Sequence, residues 1–301
     1  MRHPDDETLA RQPRYEHRRV ADLAWAIGSP AMCVQPIEER ATWVQTEGCM
    51  EELDQHRDWL SALDAEPSAL HAFLDARPTR RLGHYFEHLH SFWFQHSPVR
   101  RHIAEGVVLY DGKQTLGELD FVYARDGRPI HLEIAVKFYL RAADAPQTDS
   151  YVGPGLRDRF DRKLEKLKLH QSRRLELPAA SDALEAVGVS PDEMRTEVRL
   201  KGVLFEPLGS SAARPPEISE TCLRGEWLTL GDMHELSGRA DEWHLLDRLE
   251  WLSGPGPARP SLSFASLCEL LSIKVQRGPM HLCSSRDGKL DARYFVVAED
   301  F

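Results

Sequence analysis

The 301-residue chain has no excess of positive charge, no closely spaced cysteines and no long apolar run. Its 38 Lys and Arg stand against 48 Asp and Glu, a formal charge of −10. Phosphate binding draws on Lys and Arg, so a protein that coats nucleic acid non-specifically is excluded. A single basic cleft is not. The five cysteines, Cys33, Cys49, Cys222, Cys268 and Cys283, stand far apart and form no C-x-x-C pair. Zinc-ribbon spacing is therefore absent, and an odd, scattered set reads as reduced thiols in a cytosolic protein. No stretch approaches the ~18 uncharged apolar residues of a membrane span. The first residues, Met1-Arg2-His3-Pro4-Asp5-Asp6-Glu7, are polar and acidic with no apolar segment behind them, unlike a secretory signal. A soluble, cytoplasmic protein is expected. P-loop, dinucleotide fingerprint and nucleophile elbow are missing as well. What remains is an ordinary globular mixture, 42% hydrophobic and 29% charged, long enough for one large domain or two small ones.

Apolar spacing predicts helices over the N-terminal part, at 18–27, 50–63 and 68–76. An aromatic-rich helix, LGHYFEHLHSFWF, follows from Leu82 to Phe94. Three strands are predicted next, at Gly106–Tyr110, Thr115–Tyr123 and Pro129–Leu140, separated by the turn dipeptides Asp111-Gly112 and Asp126-Gly127. In the third strand Ile130, Leu132, Ile134, Val136 and Phe138 are apolar, while His131, Glu133, Ala135 and Lys137 alternate with them. Period two places the second set on one face. A long polar helix is predicted from Arg157 to Leu175, a small one at Ser181–Val187, and a fourth strand at Val198–Phe205. The acidic stretch 217–250 carries Trp243, Leu246 and Trp251 at helical spacing and predicts an amphipathic helix with a solvated face. A helix at Phe264–Ile273 and a terminal strand at Arg293–Val297 complete the chain. The reading is an α/β protein with a mixed sheet. It divides into an N-terminal helical segment (1–76), a core (77–210) and a C-terminal extension packed on the core (211–301).

The chemistry-bearing residues gather on the predicted hairpin. Glu133 and Lys137 share a face, and Asp120 lies on the neighbouring strand, about 4.8 Å away. Two carboxylates facing one side suit a hard divalent cation such as Mg²⁺ or Mn²⁺, which activates water for attack on phosphorus. A lysine beside them could orient that water or offset developing charge. Glu87 on the preceding helix could add a further carboxylate. The bland alternative is a solvated strand face.

The set Glu87, Gly117-Glu118-Leu119-Asp120 and Leu132–Leu140 resembles the PD-(D/E)XK nuclease superfamily. More narrowly it is similar to a bacterial branch of it, domain-of-unknown-function family 1853, over roughly residues 18–300. The resemblance implies a restriction-endonuclease-like αβββαβ core and a metal-dependent nuclease. It implies Asp120 as central metal ligand, Glu133 as second acid, Lys137 as catalytic lysine and Glu87 as an assisting ligand. One departure stands out. The superfamily's acid precedes its lysine by two residues, and that position is Ala135. Glu133 lies four before Lys137, about 13 Å along a strand, although Glu118 on the face of Asp120 could compensate. A catalytically degraded interaction module of the same fold is therefore the main alternative.

Two further signals bear on partners. Between residues 157 and 174 eight Lys and Arg meet three acids, a local +5. Arg157, Arg159, Lys163, Lys166 and Gln171 are candidate nucleic-acid contacts, against a helix solvated through its own ion pairs. His84-Tyr85-Phe86-Glu87-His88 matches the H-x-x-E-H pattern of zinc peptidases, with Glu165 at a plausible separation for a third ligand. That third reading competes with an aromatic helix bearing polar spacers.

Overall fold

A computed structural model describes residues 15–36, 41–286 and 289–301. The chain opens on α1 (Arg18–Gly28), a short β1 (Thr42–Trp43), α2 (Thr46–Gln55), α3 (Arg57–Ala65), α4 (Ser68–Asp75) and α5 (Leu82–His96). Then come β2 (Arg101–Asp111), β3 (Gln114–Arg125), β4 (Arg128–Arg141), β5 (Tyr151–Val152), α6 (Phe160–Leu169), α7 (Pro178–Glu185) and β6 (Arg195–Pro207). The last part carries β7 (Leu223–Thr229), β8 (Glu242–Leu245), α8 (Phe264–Lys274), β9 (Met280–Arg286) and β10 (Lys289–Val297). One mixed sheet runs through all of it in the order β2-β3-β4-β6-β7-β10-β9-β8, with β1 beside β6 and β5 beside β4. The strands of 211–301 thus lengthen the same sheet. Among the described residues no helix is long and apolar enough to cross a membrane.

The alternation of β4 sorts the two layers. Ile130, Leu132, Ile134, Val136 and Phe138 join a core with Phe86, Leu89, Phe92 and Trp93 of α5 and with Leu23 and Ile27 of α1. On the opposite face Tyr139 packs with Phe160, Leu164 and Leu167 of α6. Asp126 and Gly127 both hold positive φ, 52° and 77°, which gives the β3–β4 hairpin a turn whose twist matches its strands. Gly202 lets β6 press against β4. A Cβ there would stand 1.6 Å from the Lys137 carbonyl oxygen.

Buried charge ties the N-terminal helices to the sheet. Arg199 of β6 reaches Glu52 of α2 at 3.0 Å, and Arg100 meets the same carboxylate at 2.7 Å. Burial alone would raise the Glu52 carboxyl, but Arg199 and then Arg100 hold it below its ordinary value. The Lys201 ammonium, also fully buried, donates to the carbonyls of Ile27 (2.9 Å) and Ser29 (2.5 Å). It closes the C-terminal end of α1 where backbone acceptors lack intrahelical partners.

Several expectations need correction. The predicted helix at 50–63 is two helices that meet at His56, whose ring bonds the Glu52 carbonyl (2.7 Å) and the Ser97 hydroxyl (2.8 Å). The small helix starts earlier, with Pro178 in its first turn where the missing N–H costs nothing. The long helix at 157–175 ends at Leu169, and a 3₁₀ turn at Gln171–Glu176 follows. The acidic stretch 217–250 is not a helix. It supplies β7 and β8, with 3₁₀ turns at Gly231–Leu236 and Arg248–Glu250. Antiparallel pairing of β8 with β9, which sets Trp243 opposite Ser284, overrides the local helical spacing. Strand β9 carries no period that distinguished it in sequence.

Candidate active site

β3 and β4 pair as an antiparallel ladder from Arg125↔Arg128 to Phe121↔Leu132, and there the pairing ends. Beyond it β3 stays with β2, while β4 continues beside β6 as far as Leu140↔Phe205. The two strands therefore fork. Asp120 is the first residue of β3 past the last pair, and its Oδ2 accepts the Ile134 N–H at 2.9 Å. A side chain thus satisfies a backbone donor that the parted ladder leaves open. Facing it, Glu133 is fully buried.

Three neighbours hold Glu133. Its Oε1 lies 3.0 Å from His131 Nε2 and 2.5 Å from Arg174 Nη1, and its Oε2 accepts from Gln171 Nε2 at 2.7 Å. The Arg174 guanidinium also donates to the Glu118 carbonyl. It crosses β3 over Gly117, where a Cβ would come within 2.8 Å of Nε. Gln171 in turn accepts from Lys163 Nζ at 2.9 Å. In one continuous helix residues 163 and 171 would stand about 12 Å apart along the axis. The break at His170 folds Gln171 back between Lys163 and Glu133.

The electrostatics follow from this crowding. Burial, then the neighbouring Glu133 charge, push the Asp120 carboxyl up to about 8, against the Ile134 hydrogen bond and Arg174. Burial also lowers the Lys163 ammonium to about 8, helped by Lys137 and opposed by Asp120 and Glu133. Glu87 stands exposed on α5 at the rim. Its carboxyl is raised by desolvation, with His84 and Lys163 working against that and Glu118 adding to it.

The structure therefore brings Asp120, Glu133, Lys163 and Gln171 together and sets Glu87 at their edge. Lys137 stands near enough to Lys163 to lower its ammonium, but its own amine is engaged by Asp158. Its Nζ lies 2.5 Å from Asp158 Oδ2, which Tyr139 OH also approaches at 3.3 Å. Asp158 is fixed there by the Gly153-Pro154-Gly155 loop, because the Gly153 N–H donates to the Asp158 carbonyl at 2.8 Å. Arg159 pairs with Asp161 at 2.5 Å, while Arg157 and Lys166 are exposed. Among the described residues no group of three His, Cys, Asp or Glu could hold a metal ion. Neither His84, His88 and Glu165 nor Glu87, Asp120 and Glu133 close into a three-ligand cage. Sequence reasoning missed His131 and Arg174 as partners of Glu133. His131 was visible on the polar face of β4, but Arg174 carried no signal beyond its charge.

Fold and site together define a mixed α/β protein whose sheet parts around a carboxylate pair bounded by two cations from the adjoining helix and turn. The chain belongs to the family described as a domain of unknown function (DUF1853), whose sequence profile matches residues 21–297. No curated protein and no solved structure matches it.

Proposed function

We propose that the protein is a metal-dependent phosphodiester hydrolase acting on nucleic acid, built on a PD-(D/E)XK-like core. The observation that carries this reading is the fork, with Asp120 and Glu133 facing one another where the ladder ends. With the two-residue β5 and the short α7 set aside, the order α5, β2, β3, β4, α6, β6 matches the αβββαβ order that the resemblance implies. Asp120 and Glu133 are the residues that would hold Mg²⁺ or Mn²⁺. Mg²⁺ is commonly held by one or two carboxylates together with substrate phosphate and water, so a two-carboxylate set suits it without a third protein ligand. Such an ion, when bound, supplies a polarised phosphoryl oxygen and a more acidic water. The chain's own residues supply the rest. His131, Gln171 and Arg174 fix the Glu133 carboxylate, the Ile134 N–H fixes Asp120, and cations at the fork offset charge on the phosphate. Arg157 and Lys166 are exposed and would suit a phosphate backbone.

A second reading has its own observation. Both oxygens of Glu133 already accept hydrogen bonds, and the Arg174 guanidinium supplies positive charge beside the carboxylate. This favours a non-catalytic interaction module of the same fold. Incubation with single- and double-stranded DNA and RNA, in Mg²⁺, Mn²⁺ or EDTA, separates the two. Cleavage that needs the metal and disappears in Asp120→Ala supports the hydrolase. No cleavage of any substrate with Mn²⁺ present leaves the module.

A further inference from the structure

We propose that Lys163 of α6, and not Lys137 of β4, is the catalytic amine of this site. The proposal rests on the hydrolase reading above and adds to it the group that meets the reacting phosphate. Lys137 is committed to Asp158 at 2.5 Å, with Tyr139 closing on the same carboxylate. It also stands four residues from Glu133, about 13 Å along β4. Lys163 reaches the fork from α6. Its Nζ donates to Gln171 Oε1 at 2.9 Å, and the far end of that amide donates to Glu133 Oε2 at 2.7 Å. One amide therefore sets the distance between ammonium and carboxylate. An ammonium has three N–H donors, and among the described residues Gln171 is the one hydrogen-bond partner of the Lys163 ammonium.

In hydrolysis a water oxygen bonds to phosphorus and one bridging P–O bond breaks, its electron pair passing to the leaving oxygen. The attacking water loses a proton to solvent and the leaving oxygen takes one from solvent. Lys163 stays an ammonium throughout. Its remaining donors meet the attacking water and the non-bridging oxygen on which charge accumulates. Gln171 is a positioning residue: it touches Lys163 and Glu133, not the phosphate. The break of the helix at His170 places it there.

The test compares Lys163→Ala and Lys163→Met with Lys137→Ala and Asp158→Ala, measuring kcat and KM in Mn²⁺. Lys163→Met keeps the packed aliphatic stem, so a folding defect is separated from loss of the charge. Binding of a fluorescent oligonucleotide in EDTA is followed in parallel across a salt series. Both Lys163 variants should lose about 10²- to 10³-fold in kcat, with oligonucleotide affinity and its salt slope nearly unchanged. Lys137→Ala and Asp158→Ala should fall alike and only a few-fold, since they break one ion pair. Gln171→Ala should lower kcat while leaving KM in place. A Lys163→Met protein that turns over at the wild-type rate overturns the proposal. So does one whose defect is confined to binding, with a salt slope reduced by about one, because that marks a backbone contact. A wild-type protein that cleaves nothing overturns the hydrolase reading, and this inference with it. Cleavage that survives in the Lys163 variants overturns this inference alone.

Discussion

Asp120→Asn is expected to stabilise the protein, and by an amount that grows with pH. The Asp120 carboxyl titrates at about 8 in the folded chain against an ordinary 3.8. Between those values the folded state holds a proton that the unfolded state has released, so stability falls as pH rises from about 4 to about 8 and is level above that. Each unit of separation corresponds to about 1.36 kcal/mol. Asn cannot ionise, yet its side-chain oxygen still accepts the Ile134 N–H. The variant is thereby freed of that pH-dependent cost, which amounts to roughly 3 kcal/mol between pH 5 and pH 7.5. With about 2.1 cal/mol/K of unfolding entropy per residue, that corresponds to a rise of about 5 °C in the Tm difference across this window. Scanning calorimetry of both proteins without divalent metal, at half-unit pH steps, reads it directly. A Tm difference that stays flat from pH 5 to pH 8 would refute the reasoning, since Asp120 would then be ionised throughout at no cost.

Further outcomes follow from the same geometry. Mn²⁺ should bind more tightly as pH rises towards about 8, because a proton on Asp120 must leave first; calorimetry in buffers of different ionisation enthalpy should show proton release, and Asp120→Asn should abolish it. Glu52→Gln leaves the buried Arg199 guanidinium and Arg100 without a counter-charge, and urea unfolding should show a loss of about 3–5 kcal/mol. Gly202→Ala forces a Cβ against the Lys137 carbonyl at a φ of +146°, so expression should yield no soluble folded protein, a loss beyond about 4 kcal/mol. Gly117→Ala pushes only on the Arg174 side chain and should cost about 1–2 kcal/mol while freeing Arg174 from Glu133, visible as a gain in Mn²⁺ affinity.

What could be read from the chain was whatever a single period encodes. The alternation of β4 separates Glu133 from its apolar neighbours, and the Asp126-Gly127 turn fixes the register that brings Asp120 opposite it. The spacing of Glu133 and Lys137 also placed them on one face. It could not show that Lys137 is captured by Asp158, a contact made through the loop after β5. Lys163 and Gln171 were singled out as polar groups on one helix, but their hydrogen bond exists only because the helix stops at Leu169. Trp243, Leu246 and Trp251 satisfy a helical spacing by coincidence. Trp243 sits in β8, Leu246 just after it and Trp251 beyond a 3₁₀ turn. Strand β7 escaped notice because its pairing is long-range: Glu226 of β7 faces Tyr294 of β10, and no local pattern records that.

The position of β10 has a consequence for how the molecule comes together. The final strand of the chain is not at an edge of the sheet but inside it, between β7 and β9. During synthesis, β7 presents an open, unpaired edge until residues 289–297 have left the ribosome, and such an edge invites pairing with other chains. Closing it joins Glu226 of β7 to Tyr294 of β10, a non-local pairing of the kind that folds slowly. The half of the sheet that holds Asp120 and Glu133 needs none of this. Its strands follow one another through β4, and β6 joins them after the connection that carries β5, α6 and α7. Assembly of the molecule should therefore begin around the carboxylate fork and finish at β10.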